Sequence, residues 1–192
     1  MSRDLYWKLD RLGKVRLSKH YQMRQFLHSE IAQAFSIVNI PENPDLAIEA
    51  ARGLCENILE PLTEEFGPLI VRSGYRSPRL NAFGAKMGLA CSSNEKNRAY
   101  HCYDLLDPDG YMGAAACIIV PSALGGDEPR FTDWRELAWH LDGTLPYNRM
   151  VFFKSGSFNI GWTEANREAS IFSRVPKPHW LKRPGDLFTG LK

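Results

Sequence analysis

The chain has no long apolar run. None of its 192 residues belongs to a stretch approaching the roughly 18 consecutive apolar residues that cross a membrane, so no membrane role is expected. Excess charge of one sign is also missing: Lys plus Arg number 24 and Asp plus Glu 22, a formal net charge of +2. A nucleic-acid binder concentrates a basic excess on one face, and no nucleic-acid partner is expected here. Cysteine is scarce and irregularly spaced, at Cys55, Cys91, Cys102 and Cys117, in a chain long enough to bury a core without staples. That points to a reducing compartment. The opening MSRDLYWKLDRLGKVRLSKHYQM carries charges every few residues and lacks the apolar run of about 7–15 residues of a signal peptide. A cytoplasmic location as synthesised is the expectation. Internal repeats and low-complexity tracts are absent.

What is present, 44% apolar and 24% charged residues with 12 Pro and 15 Gly, is the composition of one globular domain. The first forty residues are mixed in period, and LDRLGKVRLSKHY reads as an extended arm, so residues 1–24 are taken as an N-terminal arm and 25–192 as the domain. Asn43 is a good cap and Pro44 suits a first helical position. Ala47, Ala51, Leu54, Cys55, Ile58, Leu62 and Phe66 then recur at helical spacing up to Gly67-Pro68, with Pro61 implying a kink or an early end at Glu60. Leu69–Arg72 reads as a short strand and 82–98 as a surface excursion. Asp133 should cap a helix through Leu141, and 149–154 with 157–162 should form a strand pair. The sum is an α+β fold, helices packed on a small, mostly antiparallel sheet.

The strongest β pattern is Tyr100–Leu106, followed by Asp107-Pro108-Asp109-Gly110 and then Tyr111–Val120. Pro, Asp and Gly in that order predict a type I turn closed by a left-handed Gly, the three-residue hairpin loop. In that register His101 faces Cys117, with Cβ atoms about 4.5–5.5 Å apart, close enough for an imidazole and a thiolate to share one ion. Equally, Cys117 within Ala-Ala-Ala-Cys-Ile-Ile-Val fits a core cysteine on a fully buried strand. Asp104 alternates away from His101 unless the strand is bulged, and Asp107 and Asp109 are explained by turn chemistry. Arg76, after Ser73-Gly74-Tyr75 at the end of a strand, can grip a carboxylate with two parallel hydrogen bonds or clamp the loop. His140 reads as a packing histidine, and His20 and His28 as surface residues.

Residues Phe26–Glu30, Asn39-Ile40-Pro41, Ile58–Leu62 and above all Gly67-Pro68-Leu69-Ile70-Val71-Arg72-Ser73-Gly74-Tyr75-Arg76-Ser77-Pro78-Arg79-Leu80-Asn81 resemble the zinc D-Ala-D-Ala carboxypeptidase family, which shares its fold with the hedgehog signalling domain. The resemblance covers about residues 24–122. It implies a hedgehog/DD-peptidase-like domain and a zinc ion. His101 matches the family's first ligand, Cys117 stands across a lengthened gap where an Asp is usual, and His179 is the remaining imidazole for the third place. Arg76 matches an arginine near the substrate. The acid that activates the zinc-bound water usually precedes the last His, where this chain has Pro176, Lys177 and Pro178, leaving Glu164 as a distant substitute. The implied activity is hydrolysis of peptidoglycan peptides ending in D-amino acids, with phage-type release to the cell wall as a setting. The alternative is an inactive member of the fold that binds a peptide or protein, with Phe152, Phe153, Phe158, Trp162, Phe172 and Trp180 as an aromatic interface.

Overall fold

The computed structural model describes residues 3–125, 129–165 and 167–186 of this single-domain α+β protein. Among the described residues nine α-helical segments precede, interrupt or follow six strands: α1 Arg3–Gly13, α2 Arg24–Leu27, α3 Glu30–Ala34, α4 Pro44–Leu54, α5 Glu60–Phe66, β1 Ile70–Ser73, α6 Pro78–Lys86, α7 Asn94–Asn97, β2 Gly113–Ile119, α8 Pro121–Leu124, α9 Trp134–Thr144, β3 Arg149–Phe152, β4 Phe158–Thr163, β5 Ser170–Ser173 and β6 His179–Lys182. The sheet runs β1-β2-β4-β3-β5-β6 and is antiparallel except for the β3–β5 pair.

Local chemistry explains most of these boundaries. The Asn43 side chain accepts from the Leu46 N–H and Pro44 opens α4, while the Asp133 carboxylate accepts from Arg135 N–H to start α9. The helix runs on past Pro61 to Phe66, changing type ahead of it. A π-helical turn over Cys55–Leu59 joins α4 to α5, widening the ladder just ahead of the residue that has no N–H to give.

Strand alternation gives the sheet two unlike faces. Ala116, Ile160, Met150 and Ile171 lie in one row across β2, β4, β3 and β5, and Ile118, Phe158 and Phe152 in the next. All are buried, packed with Leu54, Ile58 and Leu62 of the long helix and with Leu137 and Leu141 of α9. Approach is closest at Gly53, where a Cβ would fall 2.0 Å from the Trp162 ring. On the other face Ser73, Cys117, Asn159 and Val151 form a row.

Several expectations are corrected. Residues 3–13 are helical, and Leu12, Leu17, Tyr21 and Met23 join the core, so the N-terminal segment is not an extended arm. His20 is exposed, as expected, and its backbone N–H and ring Nδ1 both reach the Glu60 carboxylate, at 2.7 and 2.6 Å. The turn at Asp107–Tyr111 forms as predicted, with the Asp107 carboxylate accepting from the Asp109 and Tyr111 N–H groups and Gly110 at φ 88°. Its incoming arm is not a strand. Residues 99–105 coil into successive turns, with Ala99 N–H bonded to the Leu105 carbonyl, because β2 takes β1 and β4 as its neighbours. The predicted excursion is anchored by amides: Asn81, fully buried, donates to the Ser92 carbonyl and to Asn94, and Asn97 donates to Asn81. Of the six aromatics expected to form an interface, Phe152 and Phe158 stack in the core and only Trp180 is exposed.

Candidate functional site

The polar face of the sheet carries a cleft. The end of β1, the turn segment around His101, the loop after α6 and the β3–β4 hairpin enclose two adjoining basins of about 360 and 290 Å³, which share Arg76, Ala90, His101, Phe153 and Asn159. The first adds Glu30, Arg72, Ser73, Cys117 and Ser157; the second adds Cys91, Lys96, Tyr100, Arg149 and Arg174.

His101 is pinned from both sides. Arg76 N–H donates to the His101 carbonyl at 2.8 Å, and His101 Nδ1 lies 2.9 Å from the Gly74 carbonyl. A carbonyl only accepts, so Nδ1 carries the proton and Nε2 takes the Asn159 Nδ2–H at 3.2 Å. Burial, with the Arg76 charge beside it, holds His101 well below the ordinary histidine range and therefore neutral; the Gly74 carbonyl opposes this and Arg149 adds to it. Cys117 lies one strand away, opposite Asn159 on β4 and Ser73 on β1. Burial pushes its thiol up, against the pull of Ser157, Arg72 and Arg76, so it stays protonated at neutral pH.

Arg76 sits at the waist of the cleft, its Nη1 2.8 Å from Cys91 Sγ. Arg72 Nη1 donates to Ser157 Oγ at 3.2 Å, and Arg149 rests 5.3 Å from the centre of the Tyr100 ring. Among the described residues, none of Arg72, Arg76, Arg149 and Arg174 is ion-paired with a carboxylate.

Thus the structure brings together His101, Cys117 and Arg76, although not through the hairpin register that suggested it. His179 does not join them. It pairs with Ser173 in the row of Phe152, with its ring 6.1 Å from Trp134 of α9, on the opposite face of the sheet. Glu164 is also elsewhere: it clamps the start of β2 by accepting from Met112 N–H at 2.8 Å, about 16 Å along the strand direction from Asn159. The third side chain against His101 and Cys117 is an amide.

These donors do not fit a zinc centre. Nε2 of His101 faces an amide N–H, and the Cys117 thiol has the guanidiniums of Arg72 and Arg76 beside it, with Glu30 the one carboxylate lining the basin among the described residues. Among the described residues no group of three or more His, Cys, Asp or Glu side chains is arranged to hold a metal.

Comparison with known protein families, curated proteins and solved structures finds no match. The chemistry therefore rests on the cleft itself. Sequence reasoning missed Asn159, Arg72, Arg149 and Arg174. The 157–162 strand was legible, and its alternation places Asn159 and Gly161 on one face, but which face met His101 was not. Arg149 and Arg174 gave no signal, since lone arginines at strand ends are ordinary.

Proposed function

We propose that the cleft captures the free carboxylate end of a peptide and does not cut it. On this reading the chain is a divergent, non-hydrolytic relative of the zinc D-Ala-D-Ala carboxypeptidases with a hedgehog/DD-peptidase-like domain. Peptidoglycan stem peptides are the ligand class that the resemblance suggests.

The observation that carries the reading is Arg76. It is half-buried, oriented by the backbone bond between its own N–H and His101, and lacks a carboxylate partner among the described residues. A guanidinium held in a cleft without a counter-ion is set to take a carboxylate from outside, through two parallel charge-assisted bonds. Neutral His101 and the protonated Cys117 line the same wall as hydrogen-bonding groups, not as base and nucleophile. The hydrolytic reading needs three converging metal donors and an acid beside them, and Glu164 and His179 lie outside the cleft.

Calorimetry with a peptide ending in D-Ala-D-Ala as the free acid and as the carboxamide tests this, alongside mass spectrometry for cleavage in zinc-supplemented buffer. The acid should bind at least about tenfold more tightly than the amide, the size expected from charge-assisted hydrogen bonds. Arg76→Ala should abolish that preference, and no product should form. Equal binding of the two, or zinc-dependent cleavage lost in His101→Ala, would overturn it.

A further inference from the structure

The second basin is more cationic than a single carboxylate requires. Arg76, Lys96, Arg149 and Arg174 all line it, and among the described residues no acidic side chain does. Two buried side chains of the same basin, His101 and Tyr100, face this charge. Arg76 and Arg149 both help to hold His101 neutral, and Arg149 and Arg76 both oppose the rise of the Tyr100 hydroxyl, which burial nonetheless pushes up to about 12. That hydroxyl is buried with the Asn159 side chain beside it, and among the described residues no group makes a well-aligned hydrogen bond to it.

Clustered cations without acids repel one another, so the arrangement costs stability unless an anion is bound. In a surface ion-pair network the same arginines would carry Asp or Glu partners, as Arg167 does with Asp107 and Asp109. Three guanidiniums suit an oxyanion with several acceptor oxygens, and the volume of about 290 Å³ accommodates such a group with a small organic substituent. Ser92, exposed at the edge of the basin, supplies a further hydrogen-bonding group.

We infer that the second basin, lined by Arg76, Lys96, Arg149 and Arg174, is a binding site for the dianion of a phosphate monoester. This deepens the peptide-capture reading by adding a subsite to the same cleft, and the probe is chosen so that the two can fail separately. The bound group could be carried by a phosphorylated amino acid or by a small phosphorylated alcohol; the phosphoryl chemistry is common to both.

The full chain is titrated by calorimetry with inorganic phosphate, and with acetate at the same ionic strength. The variants are Arg149→Ala/Arg174→Ala and, as a remote cation on the far side of the sheet, Arg52→Ala. Both basin arginines are exposed, so the double variant should fold, which circular dichroism checks. Phosphate should bind at least about tenfold more tightly than acetate, lose about tenfold or more in the double variant, and change less than about twofold in Arg52→Ala. O-phosphoserine and glycerol 2-phosphate then separate the two sources, the better ligand identifying the carrier. Phosphate binding no better than acetate, equal loss in Arg52→Ala, or rejection of both esters by a protein that binds inorganic phosphate would overturn the assignment. The acid-over-amide preference of the D-Ala-D-Ala peptide is read in a separate titration, so either basin can stand without the other.

Discussion

The two faces of the sheet are made by the same strands and do opposite things. On β4, Ile160 is fully buried among aliphatic and aromatic side chains, while its neighbour Asn159 opens onto the cleft and touches a buried imidazole. The apolar face derives its stability from area removed from water and from close packing. The polar face holds unpaired cations, a neutral histidine and a protonated thiol, none of which contributes comparably to folding. Adjacent residues on one strand therefore divide the labour: the face under the long helix and α9 fixes the geometry, and that rigidity lets the other face hold a cleft whose charges are not neutralised from within.

The largest effects should come from the packed face. Ile160→Ala should cost about 2–5 kcal/mol, the range for truncating a core aliphatic residue, read from urea unfolding. Asn159→Ala, one residue on, should cost about 1 kcal/mol, since it leaves Nε2 of His101 without a partner in a cleft that water can enter. A comparable cost at the two positions would mean that the faces are not energetically distinct. Gly53→Ala belongs with the first of these. Its Cβ would land within 2.5 Å of three Trp162 ring atoms, so the helix must move off the sheet, at about 1–3 kcal/mol or more.

An intermediate effect should appear with pH. His101 in the folded protein lies well below its ordinary range, so near and below pH 6.5 the unfolded chain binds a proton that the native state does not. The stability tied to this residue is complete above pH 6.5 and declines as the pH falls, with a slope of at most about 1.4 kcal/mol per unit. In His101→Gln that slope between pH 6.5 and 5 should flatten. Glu60 acts lower down: Ser18 and His20 hold its carboxyl below the usual carboxylate range against a burial penalty, so its contribution is lost as the pH falls through and below about 4.5. An unchanged slope in His101→Gln would assign the acid limb to other groups.

How much of this was legible beforehand follows the same division. The elements of the packed face announce themselves locally. Asn43-Pro44, the helical recurrence to Phe66, Asp133 as a cap and the strand pair around the Gly156 turn are all patterns within a few residues. The cleft is built from long-range choices. Tyr100–Leu106 has the composition of a strand, but β2 has two sides, and β1 and β4 take them. The β-branched and apolar residues of β2 are buried on both faces, so no alternation reveals which side His101 approaches. His179 looked available because Pro176 and Pro178 flank an extended stretch; the β5–β6 pairing that turns it toward Trp134 depends on residues 170–173, whose four-residue strand is too short to stand out. Local signals thus recovered the scaffold, whereas the side chains meeting in the cleft come from distant segments and were recovered only in part, through His101, Cys117 and Arg76.

The smallest effect sharpens the comparison from the cleft side. Ala90 lines both basins at φ 56°, a left-handed conformation that costs a residue with a Cβ about 1–2 kcal/mol. Ala90→Gly removes that cost, but glycine gains freedom in the unfolded chain worth about 0.4–1 kcal/mol. The two partly cancel, and the net change in urea unfolding should be a stabilisation of at most about 1.6 kcal/mol. A destabilisation larger than that would show that the Ala90 methyl group packs as a structural contact, and that this wall of the cleft is held as firmly as the buried face. A small gain would instead mark it as a strained wall, kept in place by the amides of Asn81, Asn94 and Asn97 and not by its own packing.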